Sequence, residues 1–208
     1  MELKVENEVA HIIGDLKIDC DISTFKEKAD WDYISYHKKL SEDFIKEFDD
    51  VVNWPYISAC QTLSEDFIRA LKEKVDWDNV SIYQVLSEDF INEFGKNVNW
   101  YQILLYQRLS ENFIKSIESA PEKINWTVVS ESQVLSEDFI REHQNEVDWV
   151  FVSCYQKLSP AFRKEFKDKL IQCLLPIDEE GYTLDKIDEE SSESSDGKII
   201  GEIGEVYR

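Results

Sequence analysis

The chain has 208 residues, with 44 acidic residues against 23 lysines and arginines, so its formal net charge at pH 7 is −21. A chain this acidic repels nucleic acid and anionic membranes and attracts basic protein surfaces, so we expect a protein partner and no direct binding to nucleic acid or membrane. Its 42% hydrophobic content suffices for a folded core, and no apolar run reaches the ~18 residues of a membrane-spanning helix.

Residues 1–20 are predicted to form an N-terminal cap segment. They lack the basic stretch followed by an apolar run that marks a secretory signal, so a cytoplasmic location is expected. The cysteines form no CxxC pair and are expected to be reduced in that compartment: Cys20, Cys60, Cys154 and Cys173.

A repeat occupies residues 21–175. Its tryptophans are spaced 23, 23, 23, 26 and 23 residues apart: Trp31, Trp54, Trp77, Trp100, Trp126 and Trp149. The block Leu-Ser-Glu-Asp-Phe keeps the same interval, with units starting near residues 40, 63, 86, 109 and 135 and a closing helix from 158. Pro121 marks the longer loop in the irregular interval. A fixed period of this length is typical of stacked helical repeats.

Each unit is predicted to contain two short helices. In the unit that starts at Leu40, Ser41 is a favourable N-cap for a first helix that runs to about Val52. Asn53 then caps a second helix, which Trp54 opens. Helices this short are marginal alone, so the units are expected to stack into an all-α structure, an α-solenoid.

The array is predicted to open with a degenerate unit, in which Ser23 caps a helix and Phe25 lies in the core. The recurrent residues are interpreted as structural. The tryptophans belong to the core rather than to a nucleobase-stacking surface, and the Glu-Asp pairs match the helix dipole rather than perform acid–base chemistry. The recurrent serines and glutamines are expected to bond between neighbouring units.

The variable positions are free to specify a partner. Residues two and five positions after each tryptophan lie on one side of the second helix, because a spacing of three residues returns to the same face. The candidate partner-binding residues are Tyr33, Tyr36, Tyr56, Ile82, Leu105, Val128 and Phe151. If exposed, they form a contact ridge along successive units. The alternative is that they pack against a neighbouring unit.

Residues 176–208 hold 11 acidic and 3 basic residues and are predicted to form a flexible, acidic tail. The tail is either a solubilising linker or a mimic of a phosphate backbone. The candidate mimic residues are Asp178, Glu179, Glu180, Asp188, Glu189 and Glu190. The final segment, GKIIGEIGEVYR, is expected to be a short strand or a docking peptide.

No catalytic or metal-binding pattern is present in the sequence. His11, His37 and His143 are scattered, and there is no HExxH, zinc-type spacing, P-loop or nucleophile elbow. The sequence therefore predicts a protein that is not an enzyme and that uses no cofactor or metal.

The unit LSEDFI…VDW…VS.YQ.LSEDFI resembles tandem repeats in proteins of bacteriophages and large DNA viruses. The resemblance covers Trp31 to Phe162. It implies repeat architecture and a viral or phage source, and it implies no activity and no functional residues.

These features predict a non-enzymatic, protein-binding repeat scaffold. In a virus or phage, such a scaffold would act in the host cytoplasm as an inhibitor of a host defence protein or a basic nucleic-acid-binding protein. Two alternatives stand beside it, an acidic mimic of nucleic acid in a basic groove and a structural component of a virion or its assembly. The oligomeric state is left open.

Overall fold

The computed structural model describes residues 2–120 and 122–171. These residues form helices and no strand, which confirms the all-α prediction. The helices are Leu3–Leu16 (α1), Phe25–Lys28 (α2), Trp31–His37 (α3), Glu42–Glu47 (α4), Trp54–Cys60 (α5), Glu65–Ala70 (α6), Trp77–Tyr83 (α7), Glu88–Glu93 (α8), Trp100–Tyr106 (α9), Glu111–Ile117 (α10), Trp126–Ser132 (α11), Glu137–Glu142 (α12), Trp149–Tyr155 (α13) and Pro160–Glu165 (α14). None of these described helices is both long enough and apolar enough to cross a bilayer.

The chain divides into two compact units, Met1–Asn99 and Trp100–Arg208. In the first unit the second helices pack in series, α3 on α5 and α5 on α7. In the second unit α9 packs on α11 and α11 on α13. Within each unit, this stacking of successive repeats is the α-solenoid arrangement that the period predicts.

Each first helix begins at a serine cap. The hydroxyl of Ser41 accepts a hydrogen bond from the Phe44 N–H at 3.1 Å, and the same bond recurs in the later units. The glutamate after the serine acts between units: the Glu42 carboxylate accepts from the Ser64 N–H at 2.6 Å. The equivalent pairs are Glu65–Ser87, Glu111–Ser136 and Glu137–Ser159. These contacts give the recurrent acids a structural role.

Each second helix begins with a tryptophan, as predicted. The indole N–H of Trp54 donates to the Asp49 carbonyl at 2.9 Å, so the polar edge of the ring is satisfied. The ring of Trp31 packs on Phe48, which directly follows the next first helix, with centroids 5.0 Å apart. The tryptophans therefore join one repeat to the next, but all six are half-buried and lie at the edge of the core instead of within it.

The serine and glutamine columns also bond between units, as predicted. Ser58 accepts from the Asp76 N–H of the next repeat at 2.9 Å. The side chain of Gln84 donates to the Ser58 and Gln61 carbonyls at 2.8 and 2.7 Å and accepts from the Leu63 N–H at 3.0 Å. One buried amide thus satisfies two carbonyls of the preceding repeat and the first N–H of its own repeat.

The first helices are shorter than predicted. In the first complete unit, α4 ends at Glu47 instead of near Val52, and Phe48 leaves the helical region with ψ at 27°. Val51 and Val52 form a turn on the Phe48 carbonyl. The equivalent helices α6, α8 and α12 end at the same place in their repeats, and here the turn buries Val52.

The first unit differs from its prediction at its cap. Ser23 does not cap α2, whose N-cap is Thr24 without a side-chain bond. Instead the Asp21 carboxylate accepts from the hydroxyls of Ser23 and Thr24, both at 2.7 Å, and from the Thr24 N–H at 2.9 Å. Phe25 is fully buried, as predicted.

A histidine replaces a core phenylalanine in the repeat that follows the longer interval. His143 occupies the position of Phe48 and Phe166 in other repeats and is buried. Its Nδ1 lies 3.0 Å from the Phe139 carbonyl and its Nε2 lies 3.0 Å from the Glu118 carboxylate. Glu118 belongs to the longer repeat. The histidine that departs from the pattern is therefore paired with a residue of the one repeat whose length differs.

The cysteines differ in part from the expectation that all are reduced. Cys20 and Cys60 are free thiols. Cys154 is disulfide-bonded, which contradicts the expectation at that position. Cys173 lies outside the described residues, as do the predicted acidic tail and its terminal strand or docking peptide.

Candidate protein-binding surface

In each of the two units, the second helices present an arc of side chains to solvent. At about 100° per residue, the positions one, two, five and six after the tryptophan share one side of the helix. The positions three and four after it face inward, and Ile34 and Ser35 are fully buried there. We call the outward positions of these helices the second-helix face.

The second-helix face is almost free of charge. In the first unit it consists of Asp32, Tyr33, Tyr36, His37, Pro55, Tyr56, Ala59, Cys60, Asp78, Asn79, Ile82 and Tyr83. In the second unit it consists of Tyr101, Gln102, Leu105, Tyr106, Thr127, Val128, Glu131, Ser132, Val150, Phe151, Cys154 and Tyr155. Only Asp32, Asp78 and Glu131 are acidic and none is lysine or arginine, although 32% of the whole chain is charged.

The first helices, in contrast, carry many charged side chains that form ion pairs. Arg69 on α6 binds Glu93 on α8 through Nη2 at 2.9 Å and Asp66 on its own helix at 2.7 Å. In the second unit Arg141 binds Glu165 at 3.1 Å. Exposed ion pairs of this kind contribute little to the free energy of folding, so they order the surface more than they stabilise it.

These ion pairs also affect the pKa values of their members. The hydrogen bonds that Arg69 donates to the Glu93 carboxylate lower the pKa of Glu93 and raise the pKa of Arg69. The same relation holds between Lys115, whose pKa is raised, and Glu142, whose pKa is lowered. Both pairs therefore stay charged across the neutral range, as structural ion pairs do.

The predicted partner-binding residues divide by burial. Tyr33 and Tyr56 are exposed, at 44% and 39%. Four others are half-buried: Tyr36, Ile82, Leu105 and Phe151. Val128 is only 4% exposed, so it does not lie on the exposed ridge that was predicted. Its helix starts differently: Asn125 caps both Thr127 and Val128, at the end of the longer interval.

The structure brings three of these tyrosines together in the first unit. The rings of Tyr36 and Tyr56 meet edge to face with centroids 5.2 Å apart. His37 lies 4.4 Å from Tyr33 and 4.6 Å from Tyr36. We call these four residues the tyrosine cluster. Because Tyr36 and Tyr56 belong to successive repeats, the column both packs on a neighbour and remains accessible.

The prediction missed a third apolar column, six positions after the tryptophan. Tyr106 is 46% exposed and Tyr155 is 50% exposed, and the ring of Tyr155 stacks on Phe151 at 5.8 Å. The spacing of four residues from the first predicted column places it on the same side of the helix, so the sequence contains the signal. The exposed Tyr101 and Val150, directly after their tryptophans, complete the arc.

The candidate mimic residues Asp178, Glu179, Glu180, Asp188, Glu189 and Glu190 lie outside the described residues. Within residues 2–120 and 122–171, no three histidine, cysteine or acidic side chains form a group able to hold a metal ion.

Comparison with known proteins found no matching family model, no matching curated protein and no matching solved structure. The resemblance to repeat proteins of bacteriophages and large DNA viruses therefore remains a prediction from the sequence.

Proposed function

We propose that this chain is a non-enzymatic repeat scaffold that binds another protein through its second-helix face. The observation that supports this proposal is the concentration of tyrosine and aliphatic side chains on that face in a chain that is otherwise highly charged. Depletion of charge together with enrichment of aromatic residues is typical of the central part of protein interfaces.

We extend the proposal to the kind of protein that binds to this face. The acidity of the chain favours a basic protein, and the resemblance to viral and phage repeats favours a host protein. We therefore place the protein in the host cytoplasm as an inhibitor of a defence protein or a nucleic-acid-binding protein.

Affinity capture from cell lysate tests the proposal with a matched pair of variants. The face variant carries glutamate at four of the predicted positions: Tyr33→Glu, Tyr56→Glu, Ile82→Glu and Phe151→Glu. The control variant carries four glutamates at exposed positions of first helices: Ala70→Glu, Asn92→Glu, Asn112→Glu and Ala161→Glu. Both variants change the net charge by the same amount.

The wild type and the control variant are expected to capture the same protein, and the face variant is expected to retain less than a tenth of it. Circular dichroism must show equal helicity for all three chains. Equal capture by the face variant would exclude the second-helix face as the binding element.

Acidic mimicry of nucleic acid is the second candidate, and the charge of the first unit favours it. Residues 1–99 hold 22 acidic and 11 basic residues, a formal charge of −11. A mimic binds through charge, so its complex weakens steeply with salt. A captured complex that survives ~0.5 M NaCl would reject mimicry and leave the second-helix face as the explanation.

A further inference from the structure

The tyrosine cluster of the first unit is an exposed aromatic surface that is already assembled. Tyr33, Tyr36 and His37 extend from α3 and Tyr56 from α5, and neighbouring rings lie 4.4 to 5.2 Å apart. The packing of α3 on α5 fixes the spacing of the rings. A partner therefore meets a surface that loses little side-chain entropy on binding.

Carboxylates border this surface. Asp32 directly precedes Tyr33, and its Oδ1 accepts from the Asn53 amide at 2.7 Å. Asp78 occupies the same position in α7 and binds Asn99 at 2.7 Å. Each amide holds a carboxylate at the edge of the face, and a carboxylate has lone pairs for further donors.

Positive charge is scarce around the cluster. The outward positions of α3, α5 and α7 include no lysine or arginine. After α3, Lys38 forms an ion pair with Asp15, which leaves Lys39 as the next cation along the chain. With a formal charge of −11 on residues 1–99, the field around the face attracts cations.

The fold itself places cations over rings beside carboxylates, with Lys115 over Phe139 and paired with Glu142 as well as arginine at the two equivalent positions. The guanidinium of Arg69 lies 5.4 Å from the centre of the Phe90 ring while it binds Glu93. Arg141 repeats this arrangement in the second unit, 4.9 Å from Phe162 and bound to Glu165. Planar guanidinium groups stack on rings and bind carboxylates at the same time, which a lysine ammonium does less well.

We propose that the tyrosine cluster, bordered by Asp32, binds arginine side chains of an extended basic segment in the protein partner. An arginine bound at the cluster contacts an aromatic ring and a carboxylate together. Arg69 and Arg141 contact the same two kinds of group within the repeats. This inference rests on the proposed function and specifies the chemistry of the partner. The second unit is less suited to this ligand, since residues 100–171 hold 11 acidic and 9 basic residues.

A synthetic peptide tests this inference directly. The probe is a labelled peptide of about twelve residues with alternating arginine and glycine, titrated into the full chain at ~0.15 M NaCl and followed by fluorescence anisotropy. Peptides with lysine or glutamine in place of arginine are the controls. The arginine peptide is expected to bind most tightly, the lysine peptide more weakly and the glutamine peptide least.

Two double variants locate the binding. The double variant Tyr33→Ala with Tyr56→Ala is expected to weaken binding of the arginine peptide about tenfold, since two ring contacts are lost. The matched control, Val85→Ala with Val134→Ala, removes two exposed apolar side chains that lie outside the second-helix face and should leave the affinity unchanged. Neither variant changes the charge, so a loss in the first one alone cannot arise from long-range attraction.

Cys60 supplies an independent readout. It is an exposed free thiol four residues after Tyr56 on the same side of α5, whereas Cys20 lies before the repeats. Saturating arginine peptide should slow alkylation of Cys60 and leave the rate at Cys20 unchanged. If Cys60 reacts at the same rate with and without peptide, or if the Tyr33 and Tyr56 variant binds like the wild type, the inference is wrong.

The two proposals fail in different ways. If partner capture depends on the second-helix face but the arginine peptide binds no better than the glutamine peptide, the scaffold function stands and the arginine inference falls. If capture does not depend on the face, the proposed function falls, even where the peptide binds the cluster.

Discussion

At the scale of the residue, Gln84 shows how one side chain joins two repeats. It is almost fully buried, and its amide donates to two carbonyls of the preceding repeat and accepts from the Leu63 N–H at the start of its own repeat. The same geometry recurs at Gln61, Gln133 and Gln156. A buried backbone group without a partner costs about 1–3 kcal/mol, which makes this glutamine hard to replace.

The change Gln84→Glu tests that role. A carboxylate has nearly the shape of the amide but cannot donate to the Ser58 and Gln61 carbonyls, so we expect a loss of about 3 kcal/mol or more in the free energy of unfolding. Urea unfolding followed by circular dichroism measures it. Asn92→Asp makes the same chemical change at an exposed position and should cost less than ~0.5 kcal/mol. Similar unfolding midpoints for the two variants would contradict the structural role of Gln84.

At the scale of the element, the start of each helix depends on a side chain that satisfies free N–H groups. The first helices use serine and the second helices use aspartate or asparagine. Before α2, the Asp21 carboxylate instead accepts hydrogen bonds from two hydroxyls and one N–H. The hydrogen bonds from Ser23 and Thr24 lower the pKa of Asp21 to about 2. The charged carboxylate is therefore the form that the folded turn prefers.

This depressed pKa predicts how the turn responds to pH. Because the folded-state pKa lies below the unfolded value of 3.8, the stabilisation by Asp21 is present above pH ~4 and is lost as the pH falls towards about 2. Asp21→Asn should therefore lower the melting temperature at pH 7 and pH 5, and the difference from wild type should shrink at pH 3. Thermal unfolding at the three pH values measures it. A constant difference would show that charge on Asp21 plays no part.

At the scale of the whole molecule, the excess of acidic residues opposes the compact state. The chain has 44 acidic residues for 23 lysines and arginines, so repulsion between like charges exceeds the small gain from exposed ion pairs. Salt screens this repulsion over about 10 Å at 0.1 M. Added NaCl is therefore expected to stabilise the protein even though it weakens pairs such as Arg69–Glu93.

Thermal unfolding between ~0.01 and ~0.5 M NaCl tests this expectation, and the melting temperature should rise by several degrees. A variant with Asp19→Asn, Glu73→Gln and Glu146→Gln removes three exposed carboxylates that form no ion pair within the described part of the chain. It should melt higher at low salt and respond less to added salt. A melting temperature that falls with salt would mean that the ion pairs outweigh the repulsion.

The sequence by itself determined the repeat, its helical class, the caps and the inward-facing residues. These properties depend on local chemistry and periodicity: a serine just before an apolar helical stripe favours a helix start, and tryptophans at a fixed interval occupy equivalent places. The columns at Tyr33 and Tyr36 were also predictable, since spacing alone places them on one side of a helix.

The tertiary structure decided what the sequence could not. It buried Val128, exposed Tyr106 and Tyr155, and paired His143 with Glu118, because burial depends on what the next repeat places over each side chain. The packing of the repeats also makes the recurrent glutamates hydrogen-bond acceptors for serine N–H groups of the following repeat. It brings Tyr36 and Tyr56, 20 residues apart in sequence, into contact. Contacts between repeats follow from the packing angle of short helices, which the repeat period does not specify.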